Sequence, residues 1–141
     1  TPEAWFEVLR KYENDFNENT ILVGHSLGGT FVLHVLEKSL VKIKAAFLVA
    51  APIGIMPIKN YKTDKPFLEH PFNFEKIRRN CGQFFVFHSD NDPFVSLENG
   101  KELSKKLKTS LTLVPGAGHF NSSAGYETFD LLFDTIRDTC L

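Results

Sequence analysis

Gly24-His25-Ser26-Leu27-Gly28 sets a serine hydroxyl between two glycines, each two residues away. Ile21-Leu22-Val23 before it is a short run of apolar and branched residues that suits a strand buried in a parallel sheet, and Gly29 to Leu36 after it is apolar enough for a buried helix. A chain that turns from strand to helix within one or two residues strains its apex and crowds the positions two before and two after it. Glycine at 24 and 28 relieves the crowding, Ser26 projects from the carboxyl edge of the sheet, and the Leu27 amide at the head of the helix points where an anion would develop. The pattern reads as a nucleophile elbow with half of an oxyanion hole. Two other readings compete. Gly-x-Ser-x-Gly arises by chance where turns collect glycine and serine, and Gly24 and Gly29 have the separation of a phosphate-binding loop. The second fails because Thr30 and Phe31 stand where that loop needs lysine and then serine or threonine.

A serine is a poor nucleophile at neutral pH and needs an imidazole to take its proton and a carboxylate to orient the imidazole. Phe84-Phe85-Val86-Phe87-His88 reads as a buried strand running into the acidic turn Ser89-Asp90-Asn91-Asp92-Pro93. Leu111-Thr112-Leu113-Val114 is another strand, ending in the glycine-rich loop Pro115-Gly116-Ala117-Gly118-His119-Phe120. Both loops lie beyond strand carboxyl ends, where a parallel sheet carries its active site. Spacing leaves Asp90 and Asp92 both open as the acid. The remaining histidines have structural readings: His25 borders the pocket, His34 belongs to the apolar helix, His70 to a loop, and His88 packs or hydrogen-bonds at its strand end. None pairs with a cysteine or carboxylate at metal-ligand spacing, so no metal site is expected.

Gly-His-Ser-Leu-Gly, then His-Ser-Asp-Asn-Asp-Pro-Phe-Val, then Gly-Ala-Gly-His-Phe resembles the α/β-hydrolase superfamily in its Ser, Asp, His chain order. More narrowly the chain is similar to the small serine hydrolases of the YdeN and retinoblastoma-binding-protein type, including Phe74-Glu75-Lys76-Ile77 and Asn80-Cys81 ahead of the acid strand. The resemblance implies Ser26 as nucleophile, His119 as general base and Asp92 as the orienting acid, since in related sequences the acid directly precedes Pro-x-hydrophobic, here Pro93 and Val95. It implies a serine hydrolase that cleaves an ester, thioester or small amide of a small-molecule substrate through an acyl-enzyme, without a cofactor. An acyltransferase would use the same triad with another acceptor. The reading from a different class is a catalytically weak or inactive hydrolase-fold interaction domain. Some relatives are named for binding a retinoblastoma-type pocket through Leu-x-Cys-x-Glu, a string this chain lacks, so that partner does not carry over.

The chain of 141 residues, 43% hydrophobic with a formal net charge of −1, is expected to form a single domain over 1–141. Nothing in this balance points to nucleic acid, and no stretch reads as a membrane span. Lys101, Lys105, Lys106 and Lys108 interleave with Leu103 and Leu107 at helical spacing, which makes them the solvated face of a helix capped by Ser96. Cys81 and Cys140 form no motif and read as reduced thiols, which points to the cytoplasm. Thr1-Pro2-Glu3 starts a helix whose apolar stripe is Trp5, Val8, Leu9, Tyr12 and Phe16, Ala45 to Ala51 is a further buried strand, and Tyr126, Phe129, Phe133, Ile136 and Cys140 form the docking side of a last helix. About four strands separated by helices predict a three-layer αβα domain with a mostly parallel sheet.

Between Pro52 and Asn73 the pattern breaks: Pro52, Pro57, Pro66 and Pro71 punctuate a segment with no period of 2 or 3.6. This segment, 52–73, is expected to be a short cap over Ser26 or an ordered surface loop. The related small hydrolases begin with two further strands, a glycine-containing loop and a helix, whereas one helix precedes Ile21 here. The expectation is a member lacking its N-terminal strands and with them the second oxyanion donor, a loss of about a hundred- to a thousandfold in turnover. It would leave the serine strand as an open sheet edge suited to self-association.

Overall fold

The computed structural model describes residues 1–141. Strands β1 (Ile21–His25), β2 (Ile43–Val49), β3 (Cys81–His88) and β4 (Leu111–Leu113) form one sheet in the order β1-β2-β3-β4, with every pair parallel. Parallel neighbours need crossovers, and a strand order that never reverses puts successive right-handed crossovers on the same face. Accordingly α2 (Leu27–Lys38), α4 (Phe74–Arg79) and α5 (Leu97–Lys106) share one face, where Leu33, Leu36, Ile77 and Leu103 pack against Ala46 and Leu48 of β2. The other face of β2, presenting Ala45, Phe47 and Val49, is covered by Phe120 and by α6 (Asp130–Cys140) through Leu132, Ile136 and Cys140. The result is the expected three-layer αβα arrangement. β1 lies at one edge, with Val23 half exposed. No helix is long and apolar enough to cross a membrane.

Several elements differ from the sequence reading. α1 (Pro2–Leu9) has the expected cap, Thr1 Oγ1 accepting the Ala4 amide at 3.2 Å, but it docks through Pro2 and Phe6, and Trp5, Val8 and Tyr12 of the supposed inner stripe are exposed. The helix stops before Tyr12, and Glu13–Asp15 form a 3-10 turn, so Tyr12 and Phe16 never join its register. Phe6 and Trp5 both meet Phe31 edge-on, with ring centroids 4.9 and 5.3 Å away, so the inward face centres on Phe6 with Trp5 at its margin. At the other end α6 begins at Asp130, so Tyr126 and Phe129 pack with Phe120 from the preceding loop, and Phe133 faces outward. β3 starts three residues earlier than the apolar run, at Cys81, because Ile43 and Ala45 pair with Cys81 and Gln83.

Segment 52–73 contains a helix, α3 (Tyr61–Leu68). Eight residues with Pro66 inside leave too few apolar repeats to display a period, and tertiary contacts hold the helix instead. Phe67 packs edge-on against Trp5 at 4.7 Å, and its carbonyl accepts from His34 Nε2 at 2.9 Å. Ile58 bridges antiparallel to Val95, which ties the segment to the loop after β3.

Candidate active site

Ser26 sits between β1 and α2 with φ 55° and ψ −127°, a conformation that L residues rarely adopt. The Ser26 amide donates to the Val49 carbonyl at 2.8 Å, so the strained apex is anchored to the neighbouring strand. Two glycines make the turn feasible. A Cβ on Gly24 would lie 2.6 Å from Gly28 O, Gly29 Cα and Gly29 N, and a Cβ on Gly29 would lie 2.7 Å from the Ala51 Cβ. The sequence reading gave the second tight position to Gly28, where a Cβ would meet nothing within 4 Å. The reason is that Ala51 after β2 and the Gly24 carbonyl of β1 both close on Gly29, whereas the Cα of Gly28 faces open space. Leu27 heads α2, where an amide has no intrahelical acceptor, and directly follows the serine.

His119 reaches the serine from the loop after β4. Its Nε2 lies 3.0 Å from Ser26 Oγ and its Nδ1 lies 2.8 Å from Asp92 Oδ2. Gly116 and Gly118 take φ of 70° and 56°, left-handed values that let the loop double back to present the imidazole. Asp92 accepts the Phe94 and Val95 amides on Oδ1 at 2.8 and 3.0 Å, which leaves Oδ2 for the imidazole. The Asp92 side chain is fully enclosed. Burial alone would push its carboxyl upward, but the His119 N–H, the Phe94 and Val95 amides and the charge His119 can carry outweigh it and hold the group below the ordinary carboxylate range. An ionised Asp92 only accepts, so His119 Nδ1 carries the proton, Nε2 is the acceptor and Ser26 Oγ–H donates to it. The arrangement can therefore move a proton off the serine and hold the resulting imidazolium against a buried negative charge.

Asp90, the other candidate acid, points elsewhere: its Oδ1 accepts the Gly116 amide at 2.9 Å. Asn91 Oδ1 accepts the Gly118 amide at 2.8 Å, and Ser89 Oγ donates to the Gly118 carbonyl. Three consecutive side chains of the acid loop thus lace it to the histidine loop, a role the sequence reading missed although both loops were marked by their turn composition. His25 Nε2 donates to the His119 carbonyl at 2.6 Å, and the two rings lie 4.9 Å apart. His25 stays partly open to solvent, and the partial desolvation of its ring is the main reason its imidazole titrates below its ordinary value. Phe94 flanks the His119 ring, also with centroids 4.9 Å apart, and Lys59 places its ammonium 4.6 Å from the Phe94 centroid. Through that contact segment 52–73 meets the rim of the site. His34 and His70 lie away from it, bracing α2: His70 Nε2 is 2.6 Å from Glu37 Oε1, whose Oε2 accepts the Asn73 amide. No three His, Cys, Asp or Glu side chains gather as metal ligands. A cavity of about 390 Å³ lies at the opposite end of α2, beside Lys38, Ser39 and Leu40, and touches none of Ser26, Asp92 and His119.

Comparison with known proteins gives the same family from sequence and from structure. A family model described as serine hydrolase matches residues 1–138. YdeN of Bacillus subtilis (strain 168), which carries a hydrolase name, is 25% identical over 134 residues, which is 95% of this chain and 70% of YdeN. Serine hydrolase RBBP9 of Rattus norvegicus is 29% identical over 111 residues, 79% of this chain and 58% of RBBP9. The crystal structure of the Bacillus subtilis ydeN gene product superimposes with a TM-score of 0.91, covering 98% of this chain and 74% of that one.

Proposed function

The chain belongs to the serine hydrolase family, and from that premise we propose that it cleaves an ester, thioester or small amide of a small-molecule substrate through an acyl-enzyme, with Ser26, His119 and Asp92 as its triad. Ser26 Oγ attacks the substrate carbonyl while its proton passes to His119 Nε2, over the 3.0 Å that separates them. The carbonyl π pair moves to oxygen, and the Leu27 amide at the head of α2 donates to that oxyanion. Asp92 steadies the imidazolium formed on the other side of the ring, 2.8 Å away. Collapse of the intermediate breaks the bond to the leaving group, which takes the proton from Nε2. Water then enters, gives its proton to Nε2 and releases the acid and free Ser26 by the same steps in reverse order. No cofactor takes part in these steps.

The observation that carries the reading is the continuous relay from Ser26 Oγ through both ring nitrogens to a carboxylate with no exposed surface. A half-buried hydroxyl at a strained apex has no structural need of such a relay, since a single neighbouring acceptor or water would satisfy it. Phe94 and Lys59 at the rim support an apolar wall with a cationic margin for the substrate. Cys81 and Cys140, both buried and unpaired, support a cytoplasmic setting, where thiols stay reduced. Hydrolysis of 4-nitrophenyl acetate by the chain, abolished in Ser26→Ala, tests the proposal. Ester turnover that Ser26→Ala leaves unchanged would overturn it.

A further inference from the structure

β3 ends in an imidazole that these steps do not use. His88 is wholly enclosed, with Nε2 2.9 Å from the Val95 carbonyl and 3.6 Å from Asp92 Oδ2. A carbonyl only accepts, so the proton is on Nε2, and Nδ1 is left as a bare acceptor, buried with no partner. A buried polar atom without a partner is unfavourable, and an apolar side chain of the same size would avoid it. Helix α5 carries a second unfavourable feature for the same ring. Gly100 occupies the helix interior, where glycine weakens the helix, and a Cβ there would stand 2.8 Å from both Cβ and Nδ1 of His88.

Two local weaknesses are thus accepted to seat one imidazole, and its polar edge faces the catalytic acid. Val95 closes the turn whose amides hold Asp92 Oδ1, so fixing the Val95 carbonyl fixes that turn from beneath. The same N–H presents its positive end to Oδ2, the oxygen that meets His119. Asp92 is therefore held on one oxygen by the turn and faced on the other by two imidazoles, one from each of the loops after β3 and β4 or their roots.

We propose that His88 is a positioning residue that locks the turn after β3 and so aims the Asp92 carboxylate at His119. Its part in turnover rests on the triad reading above, whereas its part in aiming Asp92 does not. The test compares His88→Met, which fills the space without a donor, with His88→Gln, which returns an N–H near the position of Nε2. Two quantities are read: steady-state hydrolysis of 4-nitrophenyl acetate, and the low-field proton resonance of the His119 Nδ1–H bonded to Asp92. In His88→Met the resonance broadens or disappears, and kcat falls ten- to a hundredfold with KM within about twofold, the size of effect that follows a displacement near 1 Å in a catalytic group. His88→Gln restores both.

A His88→Met protein that keeps the resonance overturns the proposal, and so does equal loss in Met and Gln, which would make His88 a packing residue. If His88→Met does not fold, Gly100→Ala is read in the same way, because its methyl presses on the ring from 2.8 Å without removing it. Absence of Ser26-dependent turnover in the parent defeats the hydrolase reading alone, and the resonance still decides the role of His88.

Discussion

Replacing Gly24 and Gly28 by alanine should have opposite effects on stability, although both glycines flank Ser26 at the same distance in sequence. Ordinary contact begins near ~3.4 Å, so a methyl at Gly24, 2.6 Å from three backbone atoms of Gly28 and Gly29, forces β1 and α2 apart by roughly 0.8 Å. No flexible side chain can give way there. Overpacking of that kind costs about 1–3 kcal/mol, and the displaced backbone is the one that presents Ser26, so labelling of the serine should slow by about a hundredfold as well. At Gly28 the same methyl meets nothing within 4 Å, inside a helix that favours alanine over glycine by about 1 kcal/mol. For a chain of this size 1 kcal/mol moves the melting temperature by roughly 3–6 °C. Differential scanning calorimetry of the two variants should therefore show Gly24→Ala melting below the parent and Gly28→Ala at or above it. Equal destabilisation by both, or a lower Tm for Gly28→Ala than for Gly24→Ala, would refute the steric account of the elbow.

Asp92→Asn should lower ester turnover by about 10³–10⁴, since the amide cannot hold the useful tautomer of His119, whereas Asp90→Asn keeps an acceptor for the Gly116 amide and should leave turnover near the parent's. Parity of the two variants would contradict the assignment of the acid. Stability should fall on acidification in two stages. Burial is the main cause that lowers His34 and His88 below their ordinary imidazole value, so below about pH 6.5 the unfolded chain takes up protons that the fold resists, and stability present above that pH declines. Asp92 and Glu37 are lowered despite their burial, by hydrogen bonds, so their contribution is present above the unfolded value near ~4 and is lost as pH falls through their folded values. Thermal melts between pH 8 and 3 should show a plateau, a decline setting in near 6.5 and a steeper one below 4; a Tm constant from pH 7 to 5 would contradict the buried neutral histidines.

The meeting of Ser26, Asp92 and His119 was legible in the sequence because each stands in the turn after a short apolar strand, and that punctuation survives without tertiary information. The acid needed the resemblance, since Asp90 and Asp92 share a turn and differ only in which amides they meet: Asp90 takes Gly116, and Asp92 takes the turn's own Phe94 and Val95. The parallel sheet followed from apolar runs separated by helices, whereas the strand order, and with it the single face that α2, α4 and α5 share, is visible only in the structure. Gly28 misled because a pattern shows which residue is small and not which Cα its neighbours close on, and that close approach falls on Gly29. The face of α1 misled for a similar reason: its stripe is as apolar as an inner face, yet Phe6 beside it takes the buried position, Trp5 lies at the margin against Phe31 and Phe67, and Val8 and Tyr12 are left outside. His88 is illegible without coordinates, because its meaning lies in a cavity made by Gly100, twelve residues on in another element.

The most direct measurement of the central claim is covalent labelling by a fluorophosphonate, which reacts with serines that an imidazole has activated, followed by peptide mapping. The account predicts one modified residue, Ser26, in the parent, no label in Ser26→Ala, and a rate lowered at least a thousandfold in His119→Ala. Labelling of Ser26 at the same rate in the parent and in His119→Ala would contradict it, because the serine would then owe nothing to the imidazole 3.0 Å away.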